Sequence, residues 1–182
     1  MILAVDVQYT NNQAFVSAIT FNDWGAKEPI NEYETTLNKV EKYVPGQFYK
    51  RELPCILKLL NEYNLSPDVI VIDGYVYLDD FKKPGLGMHL YNALEGKSNI
   101  IGVAKSEFSG TSEGQKIYRG KSKIPLFVTA VGIDISSAKE NILRMSGSNR
   151  VPTLLKHVDR LCRQKASKAN KSINRAQNMS AD

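Results

Sequence analysis

Cysteine is scarce in this chain of 182 residues, and its two cysteines cannot supply the disulfide framework of a small secreted domain. Cys55 and Cys162 both fall on helix-like apolar stripes, so we expect reduced thiols in a hydrophobic core. No stretch reaches the roughly 18 to 20 apolar residues that a membrane helix needs. Met1 leads directly into an apolar segment, without the charged region that begins a secretory signal. We therefore expect a soluble, cytoplasmic protein without a membrane partner.

The sequence also lacks internal repeats, and its length and 42% hydrophobic content are typical of one domain with a real core. The formal net charge of +5 permits a polyanionic partner without requiring one. Part of this charge follows Arg163, among polar residues. The composition predicts a folded domain over residues 1–163 and a basic, weakly ordered tail over residues 164–182. No feature determines the oligomeric state, and we expect a monomer.

The beginning of the chain favours an antiparallel β-meander. Ile2–Tyr9 and Ala14–Phe21 are rich in β-branched and aromatic residues, and the segment between them has the composition of a turn. Asn31–Leu37 alternates between apolar and polar residues. We therefore expect three antiparallel strands, of which the first two form a hairpin.

The period then changes from that of strands to that of helices. Apolar residues recur every three or four positions from Phe48 to about Asn64, which predicts a core-facing helix. The run within Asp68–Asp73 is apolar on both faces, as in a central strand covered by helices. Further elements are predicted as a helix ending at Leu94, strands Asn99–Ala104, Gln115–Tyr118 and Ile124–Ala130, and helices Ser137–Met145 and Pro152 to about Arg163.

An antiparallel meander followed by a helix and by parallel strands alternating with helices predicts an α/β fold with a mixed sheet and helices on both faces. The ribonuclease H-like fold has this order of elements. Several doubly wound folds share its second half, so the pattern by itself leaves them open.

Four acidic residues occupy positions where a carboxylate is costly to bury. Asp6 lies within the apolar first strand, and Glu52 lies in the middle of the apolar stripe of the first helix. Asp73 ends the central strand and precedes Gly74, at the sheet edge where open α/β folds bind ligands. Asp159 lies on the flank of the last helix's apolar stripe. If these acids meet, they can hold one or two Mg²⁺ or Mn²⁺ ions, which prefer oxygen ligands.

Each acid also has a purely structural alternative. Asp6 could face solvent from an open sheet face, and Glu52 could pair with a core Arg or Lys. Asp73 could belong to an ordinary Asp-Gly turn, and Asp159 could lie on a solvated helix flank. Lys105, directly after a strand, could neutralise a phosphate or orient an attacking water, or could be a surface charge.

At these residues the chain resembles the endonuclease V family, from about Ile2 to Asp159. The order and spacing of the motifs make the match specific, although any one of them alone is weak. The matching stretches are Val5-Asp6-Val7, Tyr43-Val44-Pro45-Gly46, Arg51-Glu52-Leu53-Pro54, Val71-Ile72-Asp73-Gly74, Gly85-Leu86 with His89, Ile101-Gly102-Val103-Ala104-Lys105, and Arg150-Val151-Pro152 with Asp159.

The resemblance implies a metal-dependent deoxyribonuclease that repairs deaminated bases. The family hydrolyses the second phosphodiester on the 3′ side of a deoxyinosine and leaves 3′-hydroxyl and 5′-phosphate ends. The expected partner is therefore DNA containing deoxyinosine or another deaminated base, with RNA left open. By the same resemblance, the catalytic residues are Asp6, Glu52, Asp73, Lys105 and Asp159, and the four acids among them are the metal ligands.

The resemblance also implies a strand-separating wedge and a base pocket. Tyr43, Val44 and Pro45 match the wedge, whose rigid aromatic tip can replace the stacking that is lost when a base leaves the helix. A loop aromatic that caps the core is the structural alternative. The pocket for the flipped base corresponds to Gly46, Gly74, Gly85 and Leu86, where glycines allow the backbone to approach a base edge closely.

The chain departs from the family at several positions. The family usually has Asp-Gly-His-Gly and a further histidine, whereas this chain has Asp73-Gly74-Tyr75-Val76 and no histidine shortly after. Gly132-Ile133-Asp134 stands where Gly-His-Arg is expected, and Lys42 replaces the proline before the wedge. Because a strand-like segment already begins at Ile2, we expect no counterpart of the family's N-terminal helical extension. These changes leave two alternatives open: a related ribonuclease H-like nuclease for branched or otherwise damaged nucleic acid, and a module that binds modified nucleic acid without cutting it.

Overall fold

The first three strands form the predicted antiparallel meander. The computed structural model of the protein describes residues 1–10, 12–38, 47–108 and 113–179, with side chains described as far as residue 170. Strands β1 (Ile2–Thr10), β2 (Gln13–Phe21) and β3 (Asn31–Leu37) agree with the predicted elements to within one residue. β2 pairs antiparallel with both of its neighbours, and the two-residue connection between β1 and β2 makes a hairpin.

The centre of the sheet consists of parallel strands. Helix α1 (Tyr49–Glu62) connects β3 to β4 (Val69–Ile72), and helix α2 (Leu86–Ala93) connects β4 to β5 (Asn99–Ala104). β4 lies parallel to both β1 and β5. This confirms the predicted helix–strand alternation, because a parallel pair needs a crossover connection.

The far side of the sheet differs from the prediction. The segment Gln115–Tyr118 forms only a short strand, β6 (Lys116–Ile117), preceded by a 3₁₀ turn. β7 (Leu126–Val131) is antiparallel to both β5 and β6, whereas we expected parallel strands in this half. In the described part of this connection there is no crossover helix, which a parallel β7 would require. The seven-stranded sheet has the order β3-β2-β1-β4-β5-β7-β6.

The last two helices follow β7. Helix α3 (Ile135–Arg144) begins at Asp134, whose side chain accepts a hydrogen bond from the Ser137 amide at 3.0 Å. Helix α4 (Thr153–Met179) is far longer than predicted, so the expected end near Arg163 is wrong.

The continuation of α4 carries an apolar face onto the meander. Cys162 and Ala166, one helical turn apart, are buried against Phe15 of β2. The first turns of the predicted tail therefore belong to the folded domain. Cys55 and Cys162 are both free and buried, which confirms the expectation of reduced core thiols.

The core has one apolar layer on each face of the sheet, because successive residues of β1 point to opposite sides. Leu3 and Val5 pack in the layer that contains α1 and α2, and Ile2 and Ala4 pack in the layer that contains α3 and α4. Helices thus cover both faces, and the chain has the ribonuclease H-like α/β fold. Among the residues described, no helix has the length and apolar character needed to cross a membrane.

Candidate active site

The four predicted acids come from four elements that meet at one edge of the sheet. In the parallel pair β1 and β4, Val5 lies opposite Ile72. Asp6, the next residue of β1, therefore lies beside Asp73, the first residue after β4. Glu52 approaches from α1 and Asp159 from α4. The central strands of the sheet therefore supply Asp6 and Asp73, and one helix on each face supplies a further acid.

Two adjoining cavities contain all four carboxylates. A small cavity of about 30 Å³ is lined by Asp6, Asp73, Lys105 and Asp159, with apolar side chains around them. An open pocket of about 630 Å³ is lined by Asp6, Glu52, Asp73 and Lys105. Because Asp6, Asp73 and Lys105 border both cavities, the predicted catalytic residues form one continuous site.

Asp6 and Glu52 form the inner part of this site, and both are buried. Burial raises the pKa of Asp6 to about 6, with further contributions from the charges of Asp73 and Asp159. A long hydrogen bond from Gln8 Nε2, at 3.4 Å, opposes this shift only in part. Burial, followed by the charges of Asp6 and Asp73, raises the pKa of Glu52 well above its ordinary value. The inner acids thus repel each other in a poorly solvated place.

The structural alternatives for the inner acids do not describe what is observed. Asp6 is only 8% exposed, so it does not face solvent from an open sheet. No ion pair to Glu52 occurs within the described part of the chain. Arg51, its neighbour, instead places its guanidinium over the Tyr9 ring, 4.0 Å from the ring centroid.

Asp73 and Asp159 form the outer part of the site, where cations already compensate them. Lys105 Nζ donates to Asp73 Oδ2 at 2.6 Å and lies 3.9 Å from Asp159 Oδ1. Arg163 Nε lies 3.0 Å from the other oxygen of Asp159. Burial lowers the pKa of Lys105, but the hydrogen bond to Asp73 and the charges of Asp73, Asp159 and Asp6 outweigh it, so this pKa is raised. Lys105 is therefore a charged member of the site and not a plain surface lysine.

The chemistry of the donor set fits a hard divalent cation. The site offers carboxylate oxygens, and the raised pKa values of Asp6 and Glu52 show that their ionised forms are unfavourable there, a penalty that a bound cation would remove. The acids do not form a ready-made cage, because no group of three metal-ligating side chains among the described residues is placed to hold one ion. The ammonium of Lys105 instead provides positive charge between Asp73 and Asp159.

Three of the four predicted base-pocket residues lie around the larger of these two cavities. Gly74, Gly85 and Leu86 all line it. A Cβ atom on Gly85 would lie 2.6 Å from the carbonyl oxygen of Tyr75, so a side chain there would collide with backbone. The remaining predicted pocket residue, Gly46, and the wedge residues Tyr43, Val44 and Pro45 lie outside the described residues.

His89 lies beside the site and not among the acids. Its ring stacks on that of Tyr49, with centroids 3.6 Å apart, and Tyr49 lines the larger cavity. Burial lowers the pKa of His89. These contacts support a role in holding the pocket wall.

Two arginines of the site were not identified from the sequence. Arg163 could have been found, because it follows Asp159 by four residues on a helix. Arg150 donates to the backbone oxygens of Lys105 and Pro125, and thereby ties the strand end that carries Lys105 to the segment before α4. No local pattern predicts this long-range contact.

The pocket wall reflects the departures from the family motifs. Tyr75 and Leu78 line the larger cavity near the positions where histidines were expected. The Tyr75 hydroxyl donates to the Ser106 oxygen at 2.7 Å, and its ring lies 6.1 Å from that of Phe108. The wall is therefore aromatic and apolar where the family motif is polar.

The sequence of this chain is similar to those of known proteins. The family model described as Endonuclease V matches residues 1–141. Endonuclease V of Streptomyces avermitilis is 29% identical, over 92% of this chain and 81% of that protein. Endonuclease V of Desulfurococcus amylolyticus is 32% identical, over 68% of this chain and 56% of that protein.

Solved structures of endonuclease V share the fold. The Streptomyces avermitilis structure superposes with a TM-score of 0.73 at 26% identity, covering 93% of this chain and 82% of that one. The Ciona intestinalis endonuclease V structure, in complex with a DNA that contains an inosine followed by a ribo-adenosine, has a TM-score of 0.77 at 19% identity. It covers 92% of this chain and 86% of that one. Since the family model matches 141 of 182 residues, this chain belongs to the Endonuclease V family.

Proposed function

We propose that this protein is a divalent-metal-dependent endonuclease that cuts nucleic acid at the second phosphodiester 3′ to deoxyinosine, or to inosine in RNA. The observation that carries the proposal is the meeting of four carboxylates and Lys105 beside a pocket with glycine-bordered walls. Family membership supports the coarser statement that the chain is an endonuclease. The inosine-containing DNA bound by the Ciona intestinalis relative motivates the choice of substrate.

Asp6, Glu52, Asp73 and Asp159 are the residues that would hold Mg²⁺ or Mn²⁺. Such an ion supplies an activated water and charge stabilisation for the leaving oxygen of a phosphodiester. Asp6 and Glu52 have no cation paired with them in the described chain, so they gain most from a bound ion. Asp73 and Asp159 sit closer to solvent and face the entering phosphate.

Lys105 would neutralise the phosphate at the cleaved bond. Its ammonium lies at the border of both cavities and is held in place by Asp73 at 2.6 Å. Its raised pKa keeps it protonated at neutral pH. A fixed cation at this position stabilises negative charge that develops on the phosphate oxygens during hydrolysis.

The larger cavity would receive the flipped base. Its volume of about 630 Å³ accommodates a purine together with part of its sugar-phosphate backbone. Gly74 and Gly85 allow backbone groups to approach the base edge, and a tight backbone wall can reject a base with an exocyclic amine. Selection would then rest on the absence of that amine in hypoxanthine.

The aromatic wall favours a second candidate, a nuclease of the same fold that acts on branched or otherwise damaged nucleic acid. Tyr75 and Leu78 replace polar contacts that the family motif would provide. An apolar wall suits stacking more than it suits hydrogen-bond selection of one base. The substrate range therefore separates the two candidates.

The test is a cleavage assay with the protein and its Asp73→Asn variant. Duplexes that carry deoxyinosine, uracil, an abasic site or a flap, and an RNA that carries inosine, are incubated with Mg²⁺ or with EDTA. We expect a nick one nucleotide beyond the inosine, lost in EDTA and in the variant. Cleavage of flaps but not of inosine would favour the second candidate, and tight binding without any cleavage would favour a non-cutting module.

A further inference from the structure

A wide groove on the side of α3 and α4 has no role in the reaction described above. It has a volume of about 1010 Å³ and runs between the end of β6, the end of α3 and the start of α4. Its basic lining residues are Arg119, Lys121, Arg150 and Lys156. None of the described residues that line it is acidic, so its lining carries net positive charge.

None of the four basic residues of the groove forms an ion pair with a carboxylate of the described chain. Arg119 and Arg150 donate only to backbone oxygens, which carry no net charge. Lys121 and Lys156 are exposed, and neither forms an ion pair with a described carboxylate. Elsewhere in the molecule exposed lysines do pair with acids, as Lys97 does with Glu95 at 2.7 Å. Of the four, Lys121 and Lys156 are the exposed cations without a counter-charge, and two such charges in a groove with a basic lining favour binding of a polyanion.

The groove joins the candidate active site. Val151 lines both the groove and the small cavity beside the acids. Lys156 lies three residues before Asp159 on α4, about 5 Å along the helix axis. Arg150 reaches the backbone oxygen of Lys105. A strand that occupies the site can therefore continue directly into the groove.

We propose that this groove binds the phosphodiester backbone that flanks the cleaved bond. The inference rests on the proposed function for its ligand, a nucleic acid. Lys121 and Lys156 contact phosphates on the stretch beyond the active site, and exposed Tyr118 on the rim offers a ring to a base or sugar. These contacts are independent of base identity, so they add affinity and register but no selection for inosine.

The test measures binding to an inosine-free duplex in EDTA as salt is varied. The Lys121→Ala/Lys156→Ala variant should lower the slope of log K against log salt by about 2, because each lost phosphate contact removes about 0.9. The matched control, Lys27→Ala/Lys97→Ala, removes equal charge at the opposite edge of the sheet and should leave the slope unchanged. Thermal unfolding of both variants verifies that they are folded.

A slope that falls equally in both double variants, or in neither, would overturn the proposal. Because this measurement uses no inosine and no metal, its outcome is separate from failure of the cleavage assay. A second arm compares cleavage of long and short inosine duplexes. The groove variant should lose activity on the long duplex only, since the short one does not reach the groove.

A different surface feature carries a second inference independently. Phe81 is 96% exposed, more than any other large apolar side chain among the described residues. It lies at the tip of a tight loop between β4 and α2. The backbone of this loop is held by hydrogen bonds from the Leu78 amide to the Lys83 oxygen at 2.8 Å and from the Lys82 amide to the Asp79 oxygen at 3.1 Å.

The loop places Phe81 at the rim of the cavity of about 630 Å³ beside the candidate active site. Leu78 and Pro84, on either side of the tip, both line that cavity. Asp79 and Asp80 precede Phe81 in the sequence and the exposed Lys82 and Lys83 follow it, so the charges around the tip cancel. An exposed aromatic ring at the rim of a nucleic-acid site can stack on an unpaired base, because every base has a flat face.

We infer that Phe81 stacks on a base next to the one held in the pocket. This too rests on the proposed function. Such stacking would hold the strand open on the β4–α2 side of the pocket and would not depend on the identity of the base.

The Phe81→Ala variant should bind single-stranded DNA about ten-fold or more weakly, with unchanged thermal stability because the ring makes little contact in the free protein. Ile30→Ala, which trims an exposed apolar side chain at the opposite sheet edge, is the matched control. Phe81→Trp should retain binding, and its added indole fluorescence should be quenched by DNA. The inference is overturned by native-like affinity of the alanine variant or by an indole that DNA does not quench.

Discussion

Two regions of the molecule bury charge in opposite ways. At the candidate site, Asp6 and Glu52 are both buried; burial raises the pKa of each, and the charge of Asp6 raises that of Glu52 further. Near the end of β6, Arg119 is 6% exposed and equally far from water. Its guanidinium donates to backbone oxygens of Met145, Gly147, Asn149 and Arg150.

The difference separates a structural charge from a functional one. Arg119 has its hydrogen-bonding capacity used by the chain, so it organises the segment between α3 and α4. Within the described chain Asp6 accepts only the long hydrogen bond from Gln8 and Glu52 has no ion pair, so their ionised forms destabilise the protein when no cation is bound. Unfavourable burial of ionised groups is typical of functional sites, where a bound cation or substrate removes the penalty.

The largest effect should follow from breaking the acidic region. Asp73→Asn should lower the cleavage rate at inosine by more than about a thousand-fold, equivalent to about 4 kcal/mol of transition-state stabilisation, because it removes an acid that faces the phosphate and orients Lys105. The fold should be unchanged, since this side chain is partly exposed. Single-turnover cleavage measures the effect. Asp68→Asn, at the other end of the same strand, is the control, and equal rates of the two variants would contradict the assignment.

The next largest effect concerns the structural cation. Arg119→Met should reduce the free energy of unfolding by about 3 kcal/mol or more, because it leaves several backbone oxygens without donors. Urea denaturation measures it. Arg144→Met, an exposed arginine at the end of α3, is the control. If both variants lose the same stability, Arg119 does not have the structural role that distinguishes it from the buried acids.

A smaller effect of opposite sign is expected at Asp6. Its pKa is raised from 3.8 to about 6 in the folded protein, so its contribution to stability is favourable below pH 4 and is lost as pH rises through 6. Asp6→Asn should therefore stabilise the metal-free protein above pH 7 by about 1–3 kcal/mol. Denaturation in EDTA measures the difference.

The pH dependence provides the control for Asp6. The advantage of Asp6→Asn should shrink as pH falls from 7 towards 4, where the native carboxyl is also neutral. Added Mg²⁺ should stabilise the native protein more than the variant. A variant that is less stable than the native protein in EDTA at every pH would show that the inner acid is not strained.

The smallest effect is expected at Arg163, the exposed cation that pairs with Asp159 in the outer part of the site. Arg163→Ala should change the free energy of unfolding by less than about 1 kcal/mol, because its ion pair with Asp159 is largely solvated. It should also lower the Mg²⁺ concentration required for half-maximal cleavage by a small factor, since one competing positive charge is gone. A Mg²⁺ titration of activity measures this. An increased requirement would mean that Arg163 positions Asp159.

Most elements of the fold could be predicted because their signals are local. The alternation in β1, β2 and β3 and the apolar run of β5 appear within a few residues, and the structure confirms them. The direction of β7 could not be predicted, because it depends on how the chain returns to the sheet. The length of α4 was missed because its polar composition hides the small residues that pack on Phe15.

In the candidate site, too, the local features could be predicted and the tertiary contacts could not. Each acid could be singled out by itself, because a carboxylate in an apolar strand or stripe is visible from its immediate neighbours. Its surroundings could not be predicted. Lys105 between Asp73 and Asp159, and Arg119 among backbone oxygens, join residues that are far apart in the chain.

The sequence by itself therefore determined that Asp6 and Glu52 carry charge on locally apolar faces, but it did not reveal the buried Arg119. Only the tertiary structure decided which of those charges are compensated. The physical reason is that hydrophobic periodicity is a property of neighbouring residues, whereas the energy of a buried charge depends on distances and solvation that exist only after distant segments have packed together.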